Sequence, residues 1–202
     1  MTNVLIVGEG FAGPTLAYWL QRAGYQSTLI GRSPELRRGG YRIDFWGAGF
    51  DVADQIGIVP EVTRRGYHLD EVRQIGDDGR RITAFDPELF VRGTGGRYVS
   101  IARSELGAII YDALGGRVET IFGDSVRALD DDGNHVRVTF DSGTTRDFDL
   151  VIGTDGPHQP SFRGSSRRSS SASARAPCAR MRRRRSSSPS SSAWGRRWTP
   201  GF

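Results

Sequence analysis

The order of apolar and polar positions changes three times within the first thirty residues. Val4 to Val7 form an unbroken apolar run, the pattern of a short strand buried on both faces. Leu16, Trp19, Leu20 and Ala23 then recur at helical spacing, with Pro14 in the first turn and Gly24 placed to end the helix. "YQSTLI" reads as a second strand, so the chain opens as a βαβ unit. Between strand and helix stand Gly8, Gly10 and Gly13 in the spacing G-x-G-x-x-G. The first glycine permits the tight turn, the second lets a pyrophosphate approach the backbone, and the third lets helix and strand pack closely. Gly8, Gly10, Phe11, Ala12 and Gly13 are therefore candidate dinucleotide-binding residues, with a purely structural glycine turn as the alternative.

Beyond this unit the periodicity is that of short strands and one long helix. "YHLDEVRQIGDDGRRITAF" predicts two strands joined by a turn at "DDG". "YVSIARSELGAIIYDAL" predicts a strand and an amphipathic helix with Leu106, Ile109, Ile110 and Leu114 on one face. "DDDGN" is a hairpin signal whose aspartates suit a solvated turn better than a metal site. "DLVIGTDG" is an apolar strand ending in an Asp-Gly turn. After residue 160 the pattern stops: Arg, Ser, Ala and Pro predominate, a composition that cannot offset the entropy of ordering.

Charge follows the same division. Residues 163–202 hold 11 of the 28 basic residues and none of the 23 acidic ones, so the net charge of +5 belongs to the tail while the body is acidic. All the basic residues are Arg, which reads as a coding bias. The single cysteine, Cys178, lies in the tail, leaving the body without a disulfide, a thiolate nucleophile or a cysteine metal site. The amino terminus lacks the charge and apolar length of a signal peptide or membrane span, and a cytoplasmic location is expected. One feature of the dinucleotide pattern is missing. The second strand should end in an acid that accepts from the adenosine ribose, yet here it ends Gly31-Arg32. Arg32 leaves room for a 2′-phosphate, as in NADP-binding proteins, or is a solvated loop residue.

From "SPELRRGGYRIDFWGAGFDVADQIGIVPEV" onward the chain resembles the FAD-dependent aromatic hydroxylases, the single-component flavoprotein monooxygenases typified by para-hydroxybenzoate hydroxylase and the tetracycline- and polyketide-modifying enzymes. The matching features are the basic loop running into Gly39-Gly40, the strand "YRIDF", the helix through "DVADQIGI", and the second fingerprint "DLVIGTDG". The resemblance covers residues 1–158 and implies an α/β fold. It would be a Rossmann-like, glutathione-reductase-type FAD-binding βαβ domain with part of an antiparallel substrate-side sheet, truncated, over residues 1–160, followed at 161–202 by a disordered Arg/Ser-rich tail. It implies FAD as cofactor, NADH or NADPH as reductant, and oxygenation of an aromatic or polyketide-like small molecule. Position by position, it implies flavin contacts for Arg38, with Arg37 and Arg42 as nearby alternatives, and for Arg103, a place beside the adenine for Val126, and a place near the pyrophosphate for Asp155 and Gly156. It implies no required nucleophile, so no catalytic residue is assigned, and the scattered His68, His135 and His158 have no metal spacing.

The second fingerprint continues D-G-x-x-S-x-x-R in the family, whereas Gln159 and Phe162 stand at its serine and arginine positions. The family's third fingerprint is not found downstream. A reading-frame shift near Gly156 to Ser161 explains the change of composition, and an Arg/Ser-rich segment binding nucleic acid is the less favoured alternative. Two further readings compete for the body: a cofactor-binding fragment without hydroxylase activity, and a nicotinamide-only dehydrogenase. The strand pairs that interrupt the βαβ pattern after the second strand argue against the last.

Overall fold

The computed structural model describes residues 1–156 and a short strand at Ser166–Arg168; His158, Gln159 and Phe162, and the remainder of the expected 161–202 tail with Cys178, lie outside the described residues. In chain order the elements are β1 (Asn3–Val7), α1 (Ala12–Arg22), β2 (Gln26–Gly31), β3 (Arg42–Trp46), α2 (Ala48–Ile56), α3 (Val59–Arg65), β4 (Val72–Ile75) and β5 (Arg81–Phe85). There follow α4 (Glu88–Gly93), β6 (Tyr98–Ala102), α5 (Arg103–Asp112), β7 (Glu119–Phe122), β8 (Val126–Asp131), β9 (Val136–Phe140), β10 (Thr145–Phe148), β11 (Leu150–Gly153) and β12 (Ser166–Arg168).

A parallel sheet in the order β11-β1-β2-β7 forms the centre. Its first strand shows why an unbroken apolar run was needed. Val4 and Ile6 face one side and pack with Leu29, Ala17, Tyr18, Leu114 and Val118 under α1 and the end of α5. Leu5 and Val7 face the other and pack with Ile30, Val138, Phe140 and Phe148 on the β8–β10 sheet. Side chains that alternate across a strand thus feed two cores, and each full burial of a Val, Leu or Ile contributes about 1.5–3 kcal/mol. A third core joins α2, α3, β6 and α5 through Ala53, Val62, Ile101, Leu106 and Ile109. The helical face expected over Leu106, Ile109, Ile110 and Leu114 is buried throughout.

The second sheet runs β10-β9-β8-β12, antiparallel except that β12 pairs in parallel with β8. Its β8–β9 turn is the "DDDGN" segment, where Asp131 and Asp132 carboxylates accept from the backbone N–H groups of Gly133, Asn134 and His135. The two strands predicted around the "DDG" turn form the hairpin β4–β5, and β3 pairs antiparallel with β6.

The buried face of α1 differs from the sequence expectation. It consists of Gly13, Pro14, Ala17 and Tyr18, with Leu16 and Leu20 at its margin, while Trp19 is 37% exposed. The helix starts close against the glycine turn, where a β-carbon on Gly13 would meet the Gly8 carbonyl oxygen, so its first buried positions are small and the bulky Tyr18 comes a turn later. The helix ends as expected. Gly24, at φ +83°, carries the left-handed turn, with Tyr25 N–H donating to Leu20 C=O at 2.9 Å and Gly24 N–H to Gln21 C=O at 3.1 Å.

Candidate functional site

A cleft of about 320 Å³ opens at the carboxyl ends of β1, β2 and β11. Strand order leaves β1 in both directions, toward β2 and toward β11, so this is the switch point where open α/β sheets bind ligands.

The glycine turn forms its floor. Gly8 holds φ +122°, donates its N–H to Ile30 C=O at 2.8 Å, and lies so close to the β11 loop that a β-carbon would stand 2.8 Å from the Asp155 nitrogen. Gly10 faces open space, with no atom within 4 Å of where its β-carbon would be. Gly13 is not in the cleft; a β-carbon there would run into the Gly8 carbonyl oxygen, which is the close helix–strand packing expected of the third glycine. Phe11 and Ala12 line the cleft at the start of α1, whose first turn has neither a side-chain cap nor an acidic residue. The unpaired N–H groups and positive dipole end of α1 therefore face the opening.

The β11 loop forms a second wall. Thr154 N–H donates to Val7 C=O at 2.7 Å, and its hydroxyl donates to the carbonyls of Val7, at 3.0 Å, and Gly8, at 3.1 Å. Two loops far apart in sequence are locked together, and Asp155 and Gly156 line the cleft beside them. Arg103, at the start of α5, lines it from a third side. Its guanidinium lies 4.8 Å from the Phe11 ring centre and 5.9 Å from that of Tyr41, a geometry that holds the charge in place.

The loop after β2 supplies the fourth wall and the clearest departures from expectation. Arg32 lines the cleft and donates Nε to Ser125 Oγ at 3.1 Å. Arg38 does not line it: its side chain is 86% exposed and pairs with Glu35 at 3.5 Å on the same turn. Arg37, next to Arg38, lines the cleft together with Arg32, and Gly39 lines it too. Val126 is likewise displaced, packing half-buried in the core between the sheets, while Ser125 and Asp124 line the cleft. Burial alone would raise the Asp124 carboxyl. Hydrogen bonds from Ser142 and from backbone N–H groups of Ser125, Ser142 and Asp141 outweigh it and hold the group below the usual carboxylate range.

Arg37 is the alternative that the sequence left open beside Arg38, whereas Glu9, Asp124, Ser125 and Thr154 are among the lining residues that sequence reasoning passed over. Thr154 had a usable signal, a hydroxyl at the last step of an apolar strand before Asp-Gly. The others depend on which loops meet. Among the described residues no group of three or more His, Cys, Asp and Glu side chains is arranged to hold a metal ion.

A family model described as "FAD binding domain" matches residues 1–175. The chain belongs to that family. The family's cofactor is FAD, as the resemblance implied. Among curated relatives, an uncharacterized protein of Mycobacterium tuberculosis, Rv1260, is 36% identical over 165 residues, covering 78% of this chain and 43% of its own. A flavin-dependent monooxygenase from an unknown prokaryotic organism is 34% identical over 163 residues, covering 80% and 41%. Among solved structures, the tetracycline destructase Tet(51) superposes with a TM-score of 0.66 at 31% identity, covering 78% of this chain and 39% of that one. The FAD-binding-domain chain thus spans about two fifths of the length of the relatives it matches.

Proposed function

We propose that this chain is the FAD-binding portion of an NADH- or NADPH-dependent flavin monooxygenase acting on an aromatic or polyketide-like small molecule. The observation that carries the reading is the meeting of the glycine turn, the end of β2 and the Thr154–Gly156 loop in one cleft at the sheet's switch point. The open space at Gly10 beside the uncapped start of α1 fits the pyrophosphate of a dinucleotide. In this assignment the backbone of Gly8, Gly10, Phe11 and Ala12 receives the pyrophosphate, Asp155 and Gly156 border it, Arg103 faces the flavin half and Ser125 the adenosine half. Bound FAD supplies the redox chemistry; the protein orients it and excludes water around it. The substrate class is supported by the names of the relatives, one of which is a tetracycline destructase.

The test is the visible absorption spectrum of the purified chain, followed by heat release and quantification of its cofactor. Flavin bands with FAD near one per chain are expected, together with NADH or NADPH oxidation. A folded but colourless protein that takes up no added FAD would overturn the reading.

A further inference from the structure

Glu9 occupies the first variable position of the glycine turn, and its side chain crosses to the end of the neighbouring strand. There its carboxylate fills the space that a β-carbon on Gly31 would take. The side chain lines the cleft yet is only 10% exposed, and its charged neighbour Arg37 stands 3.7 Å from Oε1. That separation is an ion pair but too long for a hydrogen bond, so the carboxylate oxygens keep their capacity to accept from a ligand. In dinucleotide-binding folds the end of the second strand is where a carboxylate accepts from the hydroxyls of the adenosine ribose. Residue 31 has no side chain to do this, and the carboxylate that stands over it comes from the glycine turn.

We propose that Glu9 is the ribose-binding acid of this chain, accepting hydrogen bonds from the 2′- and 3′-hydroxyls of the adenosine half of the dinucleotide. The inference rests on the FAD reading above. It has two corollaries. A carboxylate at this place repels a 2′-phosphate, so the cleft takes dinucleotides whose ribose hydroxyls are free, and Arg32 serves Ser125 rather than a phosphate. Gly31 is also required as glycine, because any side chain there displaces Glu9.

The experiment titrates the purified full chain, stripped of flavin, with FAD and with the FAD analogue carrying a 2′-deoxyadenosine half, following flavin fluorescence. The variants are Glu9→Gln, Glu9→Ala, Gly31→Glu and the double Glu9→Ala/Gly31→Glu, each checked for folding by thermal melting. The unmodified chain is expected to prefer FAD over the analogue by about tenfold. Glu9→Ala lowers FAD affinity by about 10- to 100-fold and abolishes that preference. Gly31→Glu also weakens binding, since two carboxylates contest one space, and the double variant returns to within about threefold of the original. Folded Glu9→Ala and Glu9→Gln proteins that bind FAD as tightly as the parent, with the same preference over the analogue, would overturn the assignment and leave the FAD reading intact. Failure of the unmodified chain to bind FAD would overturn both.

Discussion

Gly13 lies in the first turn of α1 and Gly24 just past its end, and a methyl group would harm each of them differently. At Gly13 it would collide with the Gly8 carbonyl oxygen and stand 3.0 Å from Leu29 Cδ1 and Thr154 Oγ1, and the backbone it meets cannot swing aside. Gly13→Ala is expected to cost about 1–3 kcal/mol in urea denaturation and to abolish FAD retention, because relief requires α1 to move off the glycine turn. At Gly24 the space is open but φ is +83°, so Gly24→Ala is expected to cost about 1 kcal/mol with FAD content unchanged. Tyr98 offers a titration at the same scale. Burial first, and then the Asp44 carboxylate that accepts its hydroxyl at 2.8 Å, push its pKa up to about 12. A raised pKa means that the neutral hydroxyl contributes stability in full below the ordinary tyrosine value of about 10, and that this contribution fades as pH climbs toward 12. Phenolate absorbance on alkaline titration should show one late tyrosine, missing in Tyr98→Phe.

Among the elements, β7 is tied to its neighbours by one carboxylate. Glu119 accepts from the two terminal guanidinium nitrogens of Arg146 on β10, at 2.8 and 2.9 Å, and from the Thr28 hydroxyl of β2 at 2.9 Å. The Arg146 bonds, opposed by partial burial and helped by Thr28, hold the Glu119 pKa below the usual glutamate value. A lowered pKa gives stability that is present above the unfolded value and is lost as pH falls through the folded one. Glu119→Gln is therefore expected to be less stable than the parent at neutral pH and equal to it in strong acid. The side chain is 52% exposed, so solvent screening limits the difference to roughly 1 kcal/mol or less. Urea melts of both proteins across acid pH would measure it. Elements with local causes were legible in the sequence: the β1–α1–β2 unit, the "DDDGN" hairpin, and α5 with its buried face. The short helices α3 and α4 were not, since "VPEVTRR" and "ELFVRG" carry a proline at or just before the helix and too few turns for periodicity to register. Of the cleft lining, the glycine turn was legible from its position between β1 and α1, and Arg103 from the family resemblance. Glu9 and Asp124 were not, because they reach the cleft where loops from different strands converge, and Arg37 stood only as an alternative to Arg38.

For the whole molecule, the described surface is uneven. Leu89, Phe90, Phe85, Tyr41 and Trp46, in or beside α4, β5 and β3, are exposed, with the Phe85 and Phe90 rings 5.5 Å apart, and exposed apolar surface promotes association. Leu89→Glu is expected to lower concentration-dependent self-association in sedimentation velocity without changing FAD content, since α4 lies away from the cleft lining. Among the described residues no helix is long and apolar enough to cross a membrane. The pairing of β1 with β11 also fixes an order of events during synthesis. Asn3 N–H donates to the Asp149 carboxylate 146 residues later, and Val4 to Val7 run in register with Leu150 to Gly153. A ribosome adding about 5–20 residues per second takes roughly 7–30 s to cover that interval. Throughout it the first strand and its glycine turn wait with one flank unpaired. The cleft, one wall of which is the β11 loop, is therefore complete only after Gly156 has been made.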